Sequence, residues 1–152
     1  MALMRSGSTA YCASGAELFV PHYMALGAAA CEITGQVEEC LILLDDALGI
    51  IERTGERWFA AELNRHKGQL LLRQGNFETA EEHYRKALSV AKEQEAKLWE
   101  LRAATSLARL RRDQDRPSEA RDLLAPVYDW FTEGFDTPDL KEAKALLEAL
   151  DA

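Results

Sequence analysis

Arg102, Thr105, Arg109 and Arg112 stand at i, i+3, i+7 and i+10, so on a helix all four side chains share one face. One unit of 40 residues earlier, Glu62, Arg65, His66, Gln69 and Arg73 occupy the matching stretch, and further upstream His22, Ala25, Leu26 and Ala29 do. A guanidinium offers a planar fork of N–H donors that fits both oxygens of a carboxylate, so the arginine stripe has the chemistry to hold an acidic segment. The more apolar upstream residues would seat an apolar anchor. The same arginines also have a plainer use. They can solvate a helix face and pair with Glu62, Glu100 or Asp113, each pair contributing about 0.2–0.5 kcal/mol.

Other reactive side chains are scattered. His22, His66 and His83 are isolated, with no HExxH and no carboxylate at metal-ligand spacing. Cys12, Cys31 and Cys40 form no CxxC, and their odd number fits reduced, packed thiols of the cytosol better than a disulfide framework. Cys31 and Cys40 flank Gly35 and could face each other across a hairpin. Glu38/Glu39 and Glu78/Glu81/Glu82 fall near helix starts, where acidic groups favour the helix dipole. These patterns predict no catalytic residue, no metal and no cofactor, hence not an enzyme. His83 is expected to be partly buried beside Tyr84.

The chain has 152 residues, suited to one domain or one short array of repeated units. Its net charge of −8 argues against a dedicated nucleic-acid binder. No apolar run approaches the roughly 20 residues needed to span a bilayer. The opening MALMRSGSTAYCASGA is too polar in its middle for a signal peptide. A cytoplasmic protein without a membrane partner is the expectation.

The elements that would carry the stripe follow from an internal repeat. Gly35 and Gly75 open the polar turns GQVEEC and GNFETA, 40 positions apart, and 40 more lead to Asp115 in DRPSEA. At that offset Cys40, Ala80 and Ala120 align, as do Leu44, Tyr84 and Leu124, then Ala47, Ala87 and Val127. Leu70 falls with Leu110 and Leu150, and Phe19 with Phe59. Val37, Cys40, Leu41, Leu44, Ala47, Leu48 and Ile51 form one apolar helical stripe, repeated by Phe77, Ala80, Tyr84, Ala87, Leu88 and Ala91. WFAAELNRHKGQLLLRQ lies between them, helix-forming and stopped by Gly75. No stretch sustains period-two alternation, so no strand is expected.

Residues 61–94 resemble a tetratricopeptide repeat (TPR), with Gly68, Leu71, Gly75, Phe77, Ala80, Tyr84 and Ala87 at that motif's characteristic positions. Small residues at 68 and 80 would let two antiparallel helices approach closely. Ala28, Cys40, Leu44 and Ala47 serve the first unit, and Ala108, Ala120, Leu124 and Val127 the third. Arg111 departs at a usually aromatic position and Asp115 at the turn glycine. The resemblance implies an all-α, right-handed superhelix of antiparallel helix pairs. One domain over 1–152 would hold pairs at 20–54, 57–94 and 97–133. Residues 3–13 would be the second helix of a partial unit whose first helix is absent. A capping helix would span 138–150, with Thr137 as N-cap, Leu140, Ala143, Leu147 and Leu150 inward, and Lys141 and Lys144 wet.

The whole chain also resembles the C-terminal repeat segment of bacterial signalling proteins that carry a cyclase-like or DNA-binding domain and a STAND-type ATPase module. ASGAELFVPHY, ERTGERWFAAELNRHKGQLLLRQG and EARDLLAPVYDWFTEGFDTPDLKEAKALLEAL carry that likeness. No GxxxxGK[ST] is present, so nucleotide binding is not implied. In TPR folds the first helices of each pair line a concave surface. The stripe of His22, Ala25, Leu26, Ala29, Glu62, Arg65, His66, Gln69, Arg73, Arg102, Thr105, Arg109 and Arg112 would then form a partner groove. Its expected occupant is an acidic protein or peptide segment, with a small molecule left open; the Lys/Asn pattern of chaperone-type clamps is missing. The alternative is a structural module that self-associates as a homodimer through its uncovered N-terminal helix.

Overall fold

A computed structural model describes residues 20–33 and 35–151, with the side chains of 30–33 left aside. The expected helix at 3–13, and with it the dimerising face and Cys12, lies outside the described residues, as does the side chain of Cys31. Among the described residues the chain forms seven helices and no strand. They are α1 (Val20–Ile33), α2 (Val37–Thr54), α3 (Ala60–Arg73), α4 (Phe77–Glu93), α5 (Lys97–Asp113), α6 (Pro117–Tyr128) and α7 (Pro138–Leu150).

Each stripe read from the sequence becomes a seam that is buried along most of its length; Phe77, expected at the start of the second, is 53% exposed, and Val37, Leu41 and Leu48 of the first are half-buried. Cys40, Leu44, Ala47 and Ile51 are the buried residues of α2, and Ala80, Glu81, His83, Tyr84, Ala87, Leu88 and Ala91 those of α4. Successive helices pack as antiparallel neighbours, while α3 also meets α5 and α5 also meets α7. One layer is therefore built from α3, α5 and α7, the other from α2, α4 and α6. This is a solenoid of helix pairs. Its apolar residues form two clusters, one shared by α1, α2 and α3, the other by α4, α5, α6 and α7.

The 40-residue period reappears in the backbone. Gly35, Gly75 and Asp115 have φ of 74°, 81° and 58°, and Gly55 and Glu95, also 40 apart, have 75° and 54°. After α3 the N–H of Asn76 donates to Leu71 O at 3.0 Å; after α5 the N–H of Arg116 donates to Arg111 O at 2.9 Å. These are the same helix-ending bonds around a left-handed residue. Asp115 thus departs from glycine in side chain but not in conformation, a state that aspartate enters more readily than most residues.

Two other departures resolve locally. Arg111 sends Nη1 to Glu119 O at 3.3 Å and stands 4.0 Å from Glu81, which also pairs with Arg85 at 2.6 Å and Arg116 at 3.6 Å. An ion network replaces the aromatic contact there. Thr137 occupies the N-cap position of α7 but makes no capping bond; its hydroxyl donates to Gly134 O at 2.7 Å instead. On α7 the buried residues are Leu140, Ala143 and Leu146, with Leu147 and Leu150 partly covered. The inward face is therefore rotated slightly from the expected one.

His83 is buried in the α3/α4 pair. The Asn64 amide donates to Ala60 O at 2.9 Å, which turns its Oδ1 toward His83 Nδ1 at 3.0 Å, so that nitrogen carries the hydrogen. Burial, then the charges of Lys67 and Lys86, push the imidazole pKa down to about 4, against an opposing effect of Asp45. The unfolded imidazole therefore takes a proton near 6.5 that the folded one refuses until about 4. Stability from this group is complete above the upper value and lost as pH falls through the window. Urea unfolding across it should show the wild type losing more stability than His83→Gln. Equal losses would mean that other groups carry the acid sensitivity.

Candidate functional site

The layer of α3, α5 and α7 encloses a hollow of about 220 Å³, lined by Arg65, Gln69, Arg102, Thr105, Ser106, Arg109, Asp139 and Glu142. Five of these belong to the stripe expected from sequence: Arg65 and Gln69 on α3, and Arg102, Thr105 and Arg109 on α5. Ser106 sits beside them. Asp139 and Glu142 come from α7, which sequence reasoning assigned only a capping role.

Charge within the hollow is almost fully paired. Glu62 is 4% exposed and lies beneath the wall rather than on it. It accepts Arg65 Nε at 2.9 Å and Nη2 at 3.1 Å, and Arg102 Nη1 at 3.5 Å. Arg102 then reaches across to α7, where Nε and Nη2 meet the two oxygens of Asp139 at 2.8 and 3.0 Å. That hydrogen bond raises the guanidinium pKa above its already high value, more than partial burial lowers it, with Glu62 adding in the same direction. Arg109 forms an ion pair with Glu142. The basic groove expected from α3 and α5 alone is thus a mixed-charge hollow, because α7 brings two carboxylates to the arginines.

The two hydroxyls are committed to their own helix. Thr105 Oγ1 donates to Leu101 O at 2.8 Å and Ser106 Oγ to Arg102 O at 3.0 Å.

Other expected wall residues lie elsewhere. Arg112 pairs with its neighbour Asp113 at 2.8 Å in solvent, and Arg73 and half-buried His66 are not among the lining residues. On α1, Ala25 is 3% exposed and packs in the core, which removes it from the wall, whereas Leu26 is exposed and Ala29 half-buried. His22 belongs to an aromatic cluster, edge-on to Phe59 with ring centres 4.8 Å apart and 5.6 Å from Trp58. Trp99 continues the cluster, 5.7 Å from Phe59. Phe59 and Trp99 are one 40-residue unit apart, so this edge also repeats.

Two signals for the missed carboxylates existed. Extending the 40-residue register one step beyond Arg102 lands on Glu142, in the column of Glu62. Asp139 is likewise 40 positions after Trp99, at the first turn of the next inner helix. Among the described residues no group of three His, Cys, Asp or Glu side chains is arranged to hold a metal, and Cys40 is buried with its thiol donating to Ala28 O at 3.2 Å.

Comparison with known proteins fits this architecture. Residues 59–129 match the family profile described as tetratricopeptide repeat. Among solved structures, the chain is similar to that of BtubC (BKLC) from P. vanneervenii, with 19% identity and a TM-score of 0.74. The match covers 86% of this chain and 55% of that one, so this chain spans about half the length of its structural neighbour. No curated protein matches the sequence. At that identity the likeness is one of fold, and the fold is a TPR-like α-solenoid.

Proposed function

We propose that the chain is a non-catalytic protein-interaction module that receives an acidic peptide or partner segment against the wall of α3, α5 and α7. The single observation behind this reading is the hollow itself, in which three arginines from two successive units converge. Helix pairs in a solenoid hold such a wall rigid, so little entropy is lost on its side when a segment docks. Protein–protein interaction is also the general role of TPR repeats. The longer-range resemblance supports placing the module in a cytoplasmic, bacterial signalling or regulatory protein, and the net charge of −8 weighs against nucleic acid as its partner. Among the described residues no helix is long and apolar enough to cross a membrane.

The test uses a photoreactive side chain placed at Gln69 or Ser106, in the hollow, and at Ile42 on α2, which is 61% exposed in the other layer. Irradiation in a bacterial lysate should yield discrete adducts from the two hollow positions and not from Ile42. Indistinguishable adducts from all three would remove the hollow as the docking surface.

A further inference from the structure

We propose that Asp139 and Glu142 of α7 are internal placeholders for a partner's carboxylates, and that an acidic helical segment binds by exchanging with them at Arg102 and Arg109. This rests on the reading of the hollow as a docking wall and specifies what docks there.

The Arg102–Asp139 contact has the fork-to-fork geometry by which an arginine recognises a foreign carboxylate: two parallel N–H···O bonds of 2.8 and 3.0 Å. The Arg109–Glu142 pair lies further along the same two helices, so the carboxylates are presented at i and i+3. Both pairs stay within reach of water. Side-chain exposure is 35% and 24% for the first, and 41% and 44% for the second. Leu140, Ala143 and Leu146, at 3%, 0% and 4% exposed, seat α7 on the core alongside the two carboxylates, Ala143 and Leu146 one turn beyond Asp139 and Glu142. The carboxylates can therefore swing away from the arginines while the helix remains seated. Released, the two guanidiniums present donors spaced for a second helix carrying acidic residues three positions apart. The occupant is accordingly a helical partner segment with an Asp-x-x-Glu pattern.

The probe is a fluorescein-labelled, alanine-rich peptide of about 15 residues, long enough for appreciable helix, carrying Asp-x-x-Glu. Its control carries Asn-x-x-Gln. Binding is followed by fluorescence anisotropy at low ionic strength, where such pairs are least screened. The full chain with Asp139→Asn and Glu142→Gln should bind the acidic peptide at least tenfold more tightly than the wild type, and the control no better. Adding Arg102→Gln and Arg109→Gln should abolish the gain. Circular dichroism monitors folding. If the double variant loses helix, Glu142→Gln alone, at the more exposed pair, serves for the same comparison. Equal or weaker binding by the carboxylate variant overturns the proposal, as does a gain that survives loss of the arginines. Absence of binding by every form overturns it too, while the adducts from Gln69 and Ser106 separately decide whether the hollow docks anything.

Discussion

Gly68→Leu is expected to lower the free energy of unfolding by about 3 kcal/mol or more, the upper range for overpacking a closed interior. A Cβ at Gly68 would stand 2.7 and 2.8 Å from two ring carbons of Tyr84 and 3.2 Å from the backbone oxygen of Ala80. Tyr84 is 1% exposed and cannot swing aside, and the Ala80 oxygen belongs to helix α4. The clash therefore pries α3 from α4. Gly68→Ala makes a sharper test of the cause. In an open helix that change would stabilise by up to about 1 kcal/mol; here it should destabilise. Urea unfolding followed by circular dichroism measures both, and a neutral or stabilising Gly68→Ala would show that the close approach is not what the glycine serves.

Leu107→Ala should cost about 2–5 kcal/mol, the range for emptying a buried leucine site that relaxes incompletely. Leu107 is 1% exposed in α5, the helix that touches α3, α4, α6 and α7 and so joins both neighbouring pairs. Its cluster is shared by α4 to α7, whereas α1 to α3 bury a separate set. In a solenoid each unit draws stability mainly from its neighbours. Hydrogen exchange should then show protection falling most in α5, α6 and α7, and least in α1 and α2. A loss below about 1 kcal/mol, or one spread evenly along the chain, would contradict this picture.

Much of the architecture was legible in the residues because it is written at short range. The stripe from Val37 to Ile51 is visible as spacing, and of its seven residues α2 buries Cys40, Leu44, Ala47 and Ile51 and half-buries Val37, Leu41 and Leu48. Gly68 opposite Ala80 and Tyr84 announced a close crossing, and the Tyr84 ring and the Ala80 oxygen leave no room for a Cβ there. Even Asp115, which breaks the glycine pattern, keeps the left-handed backbone that the period demands. Of the stripe, Arg65, Gln69, Arg102, Thr105 and Arg109 share the hollow, while Ala25 and Arg112 do not.

The sequence by itself determined the helical pattern and its repeat of 40, since apolar periodicity and turn conformation depend on neighbours only a few positions away. The last pair, expected to run to 133, ends its second helix at Tyr128. Only the tertiary structure decided what the arginines hold. Asp139 meets Arg102 from 37 positions away, a contact set by how α7 is rotated on the core by Leu140, Ala143 and Leu146. A long charged side chain takes whichever carboxylate packing brings within reach, and no periodicity in its own helix encodes that choice.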